Sequence, residues 1–244
     1  MDALIYTVMS GAERIQRAQA VHANNLANLE TAGFRANLEQ AGAARVQGYG
    51  YDARHLAQAR SDIVSARTGS QRDTGRELDL AIQGEGLFAV AQDGAEGAEA
   101  YTRGGNFSLD ADGRLLLGRH AVLGEGGAIV LPPHDKLQVL SDGSVAILAN
   151  GQTELQTVDR LKLVKPEFAQ LSKNEAGLLV MRDGSRAASD PDVQVAAGKL
   201  EASNVSAVEE MVATMNLARD FELQMRLYKS ADGMAEAGNR LVRE

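Results

Sequence analysis

Two short-period seams, one near each end of the chain, limit most strongly what this sequence can fold into. Leu4, Val8, Gly11, Ile15, Ala18, His22, Asn25 and Leu29 recur alternately four and three residues apart. That spacing marks the narrow seam of a helix in a coiled coil, not the wider stripe of a helix lying on a globular core. The far end repeats the pattern. Val208, Met211, Met215, Ala218, Phe221, Met225 and Tyr228 follow one another at spacings of three and four, with Arg219, Glu222, Arg226 and Lys229 around them. Ser206-Ala-Val-Glu209 opens this second helix as a capping box, in which hydroxyl and carboxylate satisfy free N–H groups reciprocally. Nothing internal is available to cover the two seams. They are expected to pair with each other and with further copies of the chain, with Asn204, Val205 and Glu209 at the start of the second helix belonging to the same interface.

The first helix ends oddly. Residues 24–35 read NNLANLETAGFR, and Asn is an indifferent helix former because its side chain competes for backbone groups. Asn25 falls on the seam, while Asn24 and Asn28 lie one turn apart on an adjoining face beside Leu26. The expectation is that these amides hydrogen-bond to neighbouring helices and trade helix propensity for register, as a buried polar residue at a seam position does. Gly33 sits where a left-handed C-terminal residue belongs, Phe34 is a hydrophobic clasp beyond it, and Thr31–Phe34 marks the outward turn of the chain.

Between the helices the pattern changes twice. Residues 35–75 carry scattered Gly, Ser and Arg and read as an extended linker, with only Asp62–Ala66 suggesting a short strand. From 76 to 197 apolar runs are short and are punctuated by Asp93-Gly94, Asp112-Gly113, Asp142-Gly143 and Asp183-Gly184, pairs that tolerate the positive φ of tight hairpin turns. In KLQVLSDGSVAIL, Leu137 and Val139 alternate before the turn, and Val145 and Ile147 after it. The fold class is therefore α+β. Paired N- and C-terminal helices (1–34 and 198–244) form a coiled-coil-like domain, and a mostly antiparallel all-β domain is inserted between them.

Chemistry is sparse. The chain has no Cys and no Trp, and aromatics make up 4% of it, which rules out thiol catalysis and cysteine-ligated metal. A net charge of −8 argues against sequence-independent nucleic-acid binding, which needs a basic surface. Asp110-Ala-Asp112-Gly113 begins like a calcium loop, but Ala121 stands where the bidentate Glu is required, so a hairpin turn is the better reading. Gly84-Glu85-Gly86 and Gly124-Glu125-Gly126-Gly127 do not complete a phosphate-binding fingerprint before a helix. His22, His55, His120 and His134 lack metal-ligand spacing, and no serine sits in a nucleophile elbow. No catalytic residue, cofactor, metal or small-molecule substrate is expected. The opening MDALIYTVMSGAERI lacks a basic n-region and a long apolar core, so it is not read as a cleaved signal, and no stretch has the length of a membrane span.

The segments IYTVMSGAERIQRAQAVHANNLANLETAGFR and GKLEASNVSAVEEMVATMNLARDFELQMRLYKSADGM resemble the paired end motifs of the bacterial flagellar rod and hook proteins. TGRELDLAIQGEGLFAV and AYTRGGNFSLDADGRLLL resemble that family's β domain. The opening, VDRLKLVKPE and the modest length look most like a proximal-rod member. Two departures stand out: Ala202 replaces a usual Gly, and Gly233 lies inside the last helix. The resemblance implies a structural, non-enzymatic subunit of the basal-body rod in the periplasm. Its terminal helices would form the inner tube of a helical assembly that transmits motor torque for motility. Its partners would be other rod proteins, its own copies and the flagellar type III export apparatus, which exports it without a cleaved signal peptide. The alternatives are a distal-rod or hook-basal subunit, or, from another class, a β-domain binding module or carbohydrate-active enzyme dimerised by its helices.

Overall fold

A computed structural model describes residues 2–45, 55–92, 97–152 and 154–243. The chain is α+β, with one long helix near each end and many antiparallel strands between them. It divides into two compact units. Unit 1 comprises Met1–Ala27, Asn37–Ile63 and Ser206–Glu244; unit 2 comprises Asn28–Ala36 and Val64–Val205.

Unit 1 holds α1 (Asp2–Ala27) and α2 (Ala207–Arg243), which pack against each other. It also holds β1 (Asn37–Arg45) and nearly all of β2 (His55–Val64), which form a two-stranded sheet. These strands occupy nearly half of the stretch 35–75 that reads as a linker. Their sequences, NLEQAGAAR and HLAQARSDIV, alternate polar with small residues, so they lack the apolar run that announces a strand. The start of α2 shows one half of the expected capping box, with the Glu209 N–H donating to Ser206 Oγ at 3.4 Å. Gly233 does not interrupt the helix, because neighbouring Ala, Leu and Arg residues carry the propensity.

Unit 2 is built from hairpins. Its largest sheet has five strands in the order Leu163–Val164, β5 (Leu87–Ala91), β6 (Glu99–Thr102), Leu179–Met181, Leu171–Lys173. The short strands β3 (Gln71–Asp73) and β4 (Leu80–Gln83) pair with Lys199–Glu201 and Gln194–Ala197. The strand Lys199–Glu201 lies within 198–206, which the sequence groups with the C-terminal helix; the helix itself begins at Ala207. The Asp-Gly turns behave as their chemistry requires: Gly113, Gly143 and Gly184 have φ of 78°, 86° and 71°. Asp93-Gly94 lies outside the described residues. Across the Asp142-Gly143 turn, Leu137 pairs with Ile147 and Val139 with Val145. The alternation works because period-2 side chains of both strands reach the same face, and all four join one apolar cluster with Leu80, Ile82, Phe88 and Phe107. Gly124–Gly127 is a tight hairpin between Leu123–Gly124 and Gly127–Ala128.

One part of unit 2 is polar and buried. Arg35, Arg103 and Glu201 are only 3%, 2% and 2% exposed. Arg103 donates through Nε to Glu201 Oε2 at 2.7 Å, and to the carbonyls of Gly84 and Gly86 at 2.8 Å each. Arg35 reaches the other carboxylate oxygen at 3.1 Å, and its guanidinium lies 5.9 Å from the centre of the Phe168 ring. Burial pulls the Arg35 guanidinium down to about 10 and the nearby Glu201 charge opposes the fall, while Arg103 is lowered for the same reason. The Gly-Glu-Gly stretch at 84–86 is thus a turn whose carbonyls hold a cation.

Candidate assembly surface

The seam of α1 lies where its spacing places it. Val8, Ile15 and Ala18 are 6%, 2% and 0% exposed. Gly11 faces α2 so closely that a Cβ there would stand 2.2 Å from Gln224 Nε2. The Leu4 side chain lies outside the described residues. At the other end the seam turns polar. His22 Nδ1 is 2.5 Å from Glu210 Oε2, and Asn25 Nδ2 donates to Glu210 Oε1 at 3.1 Å.

Asn25, expected to hydrogen-bond to a neighbouring helix, does so within the chain, through Glu210 of α2. It is 1% exposed, its Nδ2 also donates to the Asn37 carbonyl at 3.0 Å, and its Oδ1 accepts from the Asn37 N–H at 2.9 Å. Both ends of the amide are committed inside unit 1. The partner carboxylate is 185 positions away, so spacing along one helix could not reveal it. Replacing Asn25 with Leu would strand the Asn37 peptide groups and half of the Glu210 carboxylate. The expected loss is about 3 kcal/mol, measured as denaturant unfolding followed by helix ellipticity at 222 nm. A change below about 0.5 kcal/mol, the range of ordinary surface substitutions, would show that these bonds hold nothing.

The residues around the end of α1 scatter. Asn24 is exposed and Leu26 half-buried. In unit 2, Thr31 is exposed and donates through Oγ1 to Asn28 Oδ1 at 3.1 Å, Leu29 is half-buried, and Val205 is half-buried near the start of α2. Gly33 has φ of 68°, yet it is not a helix cap, because α1 ends at Ala27. Its backbone runs against β6's end, where a Cβ would meet Gly104 N at 2.1 Å. Phe34 is half-buried under Lys173, whose Nζ sits 3.8 Å from the ring centre and donates to the Arg35 carbonyl at 2.5 Å. Burial pushes the Lys173 ammonium down to about 8. Asn204 is tied within unit 2.

On α2 the seam read from the sequence is rotated. Glu210, Thr214, Leu217, Phe221, Gln224 and Ala231 form the more buried face, again at spacings of four, three and seven. Val208, Met211 and Met215 are instead 72%, 53% and 58% exposed, and Glu209 and Ala218 are exposed too. The face toward α1 is polar in part, because Gln224 fits over Gly11 and Glu210 answers His22 and Asn25. Val212, Leu223, Leu227 and Met234 extend the exposed apolar stripe. Phe221, Met225 and Tyr228 line an open groove of about 670 Å³ with Tyr6, Met9 and Leu56. Tyr6 and Met9 were missed, although their signal is present: they are the bulky apolar residues of α1 that lie off its seam. Together, stripe and groove form the kind of exposed apolar surface that marks an interaction face.

Comparison with known proteins gives this surface its context. Residues 5–35 match the family described as flagella basal body rod protein. Residues 81–151 match the flagellar hook protein FlgE/F/G D1 domain, and 196–241 the flagellar basal body rod FlgEFG protein C-terminal region. The chain is 37% identical over 250 residues to the flagellar basal-body rod protein FlgF of Salmonella typhimurium, covering 99% of both chains. It is 36% identical to that of Escherichia coli, again over 99% of both. The chain belongs to the flagellar basal-body rod protein family.

The FlgF likeness exceeds that to the rod protein FlgG of Caulobacter vibrioides, which is 28% identical over 96% of this chain. This rod protein is a structural subunit of the basal body, not an enzyme, and works among other rod components. Its two end regions, where the family models match, contain both helices of unit 1 and hence the apolar stripe and groove. Among its described residues no helix is long and apolar enough to cross a membrane.

Proposed function

We infer that this rod subunit polymerises helically through its terminal helices, in the proximal part of the rod, and carries motor torque across the periplasm. The observation behind this reading is the apolar stripe on α2, with Met211, Met215, Leu223 and Leu227 all more than half exposed. A heterologous contact repeated by a screw operation gives an open helical array. Pairing of α1 with α2 as a coiled-coil-like rib, with Val8 and Ile15 inside and the methionines outside, leaves the second helix face for neighbouring subunits. Met suits a surface that meets non-identical neighbours, because its unbranched thioether adapts to irregular gaps. Subunits reach the site through the flagellar type III export apparatus.

The test is location. A tagged chain should be found in isolated basal bodies at the end of the rod nearest the cytoplasmic membrane. Labelling at the hook end would replace the proximal reading with a distal one. Absence from basal bodies altogether would remove the rod role.

A further inference from the structure

The chain passes between its two units at four points, after residues 27, 36, 63 and 205. In unit 2 these passages fall on three segments: 28–36, the stretch beginning at 64, and the stretch ending at 205. The side chain of Asn204 bonds to both of the other segments. Its Oδ1 accepts from the Ala36 N–H at 2.7 Å, and its Nδ2 donates to the Arg67 carbonyl at 2.8 Å. Three residues earlier, Glu201 does the same. It accepts from the Gly69 N–H at 3.0 Å and pairs with Arg35 at 3.1 Å, while Arg103 anchors it to β6.

Main-chain bonds run in parallel with these side chains. The Gly33 N–H donates to the Glu201 carbonyl at 2.8 Å, Ala202 to Ser70 at 2.8 Å, and Ser65 to Ala36 at 2.9 Å. Two of the segments approach too closely for a side chain at Gly69, where a Cβ would stand 1.9 Å from the Ala202 oxygen.

We propose that Asn204 and Glu201 form a latch that makes the three segments open and close as one cooperative element. Either residue alone spans all three segments, so no segment can leave without breaking bonds to both others. Separate segments would each open on their own; this arrangement ties the three together inside unit 2. Asn204 is therefore a positioning residue inside the subunit, not a contact offered to a neighbour. The inference concerns the isolated chain and does not depend on polymerisation.

Hydrogen exchange on the purified full chain tests it, using peptides that cover 28–36, 64–70 and 198–205. Slowly exchanging amides in the three segments should share one opening rate, as members of a single cooperative unit do. Asn204→Ala should accelerate exchange about tenfold or more in 28–36 and 64–70, while β4 and β5 keep their protection. Asn204→Asp retains the oxygen that accepts from Ala36 and loses the donor to Arg67, so acceleration should be greater in 64–70 than in 28–36. Distinct opening rates in the unmodified chain would overturn the latch. So would acceleration confined to 198–205 in both variants.

Discussion

Cells carrying Met211→Asp and Met215→Asp together are expected to be non-motile and to build no rod beyond this subunit's position, while the purified chain keeps its fold. Both side chains are more than half exposed in the subunit. Substitution at such positions changes a subunit's own stability by only about 0.5 kcal/mol or less. In the proposed assembly the same positions are covered, and an unpaired carboxylate buried there costs several kcal/mol. Two such charges per contact reduce affinity by roughly a thousandfold or more. Swimming in soft agar and a thermal melt of the purified chain make the comparison, with Met215→Leu as a control that should swim normally. Normal swimming by the double Asp variant would move the interface off this face of α2. Val8→Asp is the less informative change, because Val8 is 6% exposed and packed within unit 1.

Glu201→Ala should cost unit 2 about 3–5 kcal/mol, the range seen when one partner of a buried ion pair is removed. The carboxylate answers two guanidinium groups that are each nearly inaccessible, and Arg103 alone would keep only carbonyl acceptors. Glu201→Gln retains an acceptor for Gly69 or for one arginine without the charge, and should fall between wild type and Ala. Denaturant unfolding of the full chain measures both. A loss below about 1 kcal/mol for Glu201→Ala, within the spread of ordinary substitutions, would mean that the arginines find other compensation.

The parts of this fold that the sequence declares are those governed by local rules. Period-3.6 spacing located Val8, Ile15 and Ala18 in a buried line, and turn chemistry located Gly113, Gly143 and Gly184 at positive φ. Each of these depends on a few consecutive residues. On α2 the spacing marks the apolar residues without saying which of them meet α1 and which stay exposed in the single chain. The face toward α1 carries Glu210, Thr214 and Gln224, chosen for what stands opposite them. The buried arginine pair was invisible for a related reason: Arg35, Arg103 and Glu201 are ordinary surface residues by type, and only long-range pairing buries them. Asn204 stands in a motif that marks a constrained position, and the motif does not say that Ala36 and Arg67 are its partners.

The polar end of the helix pair has a mechanical consequence. Along the contact α1 presents Val8, Ile15 and Ala18, with Gly11 making room for Gln224. At the other end His22 and Asn25 seize a single carboxylate, that of Glu210. A slip of one turn, about 5.4 Å, would push the Gln224 amide off its glycine and strip the Glu210 carboxylate of both partners. The pair carries two stops, like detents on a sliding shaft. A pull along the axis of this helix pair meets its resistance at Gln224 and Glu210.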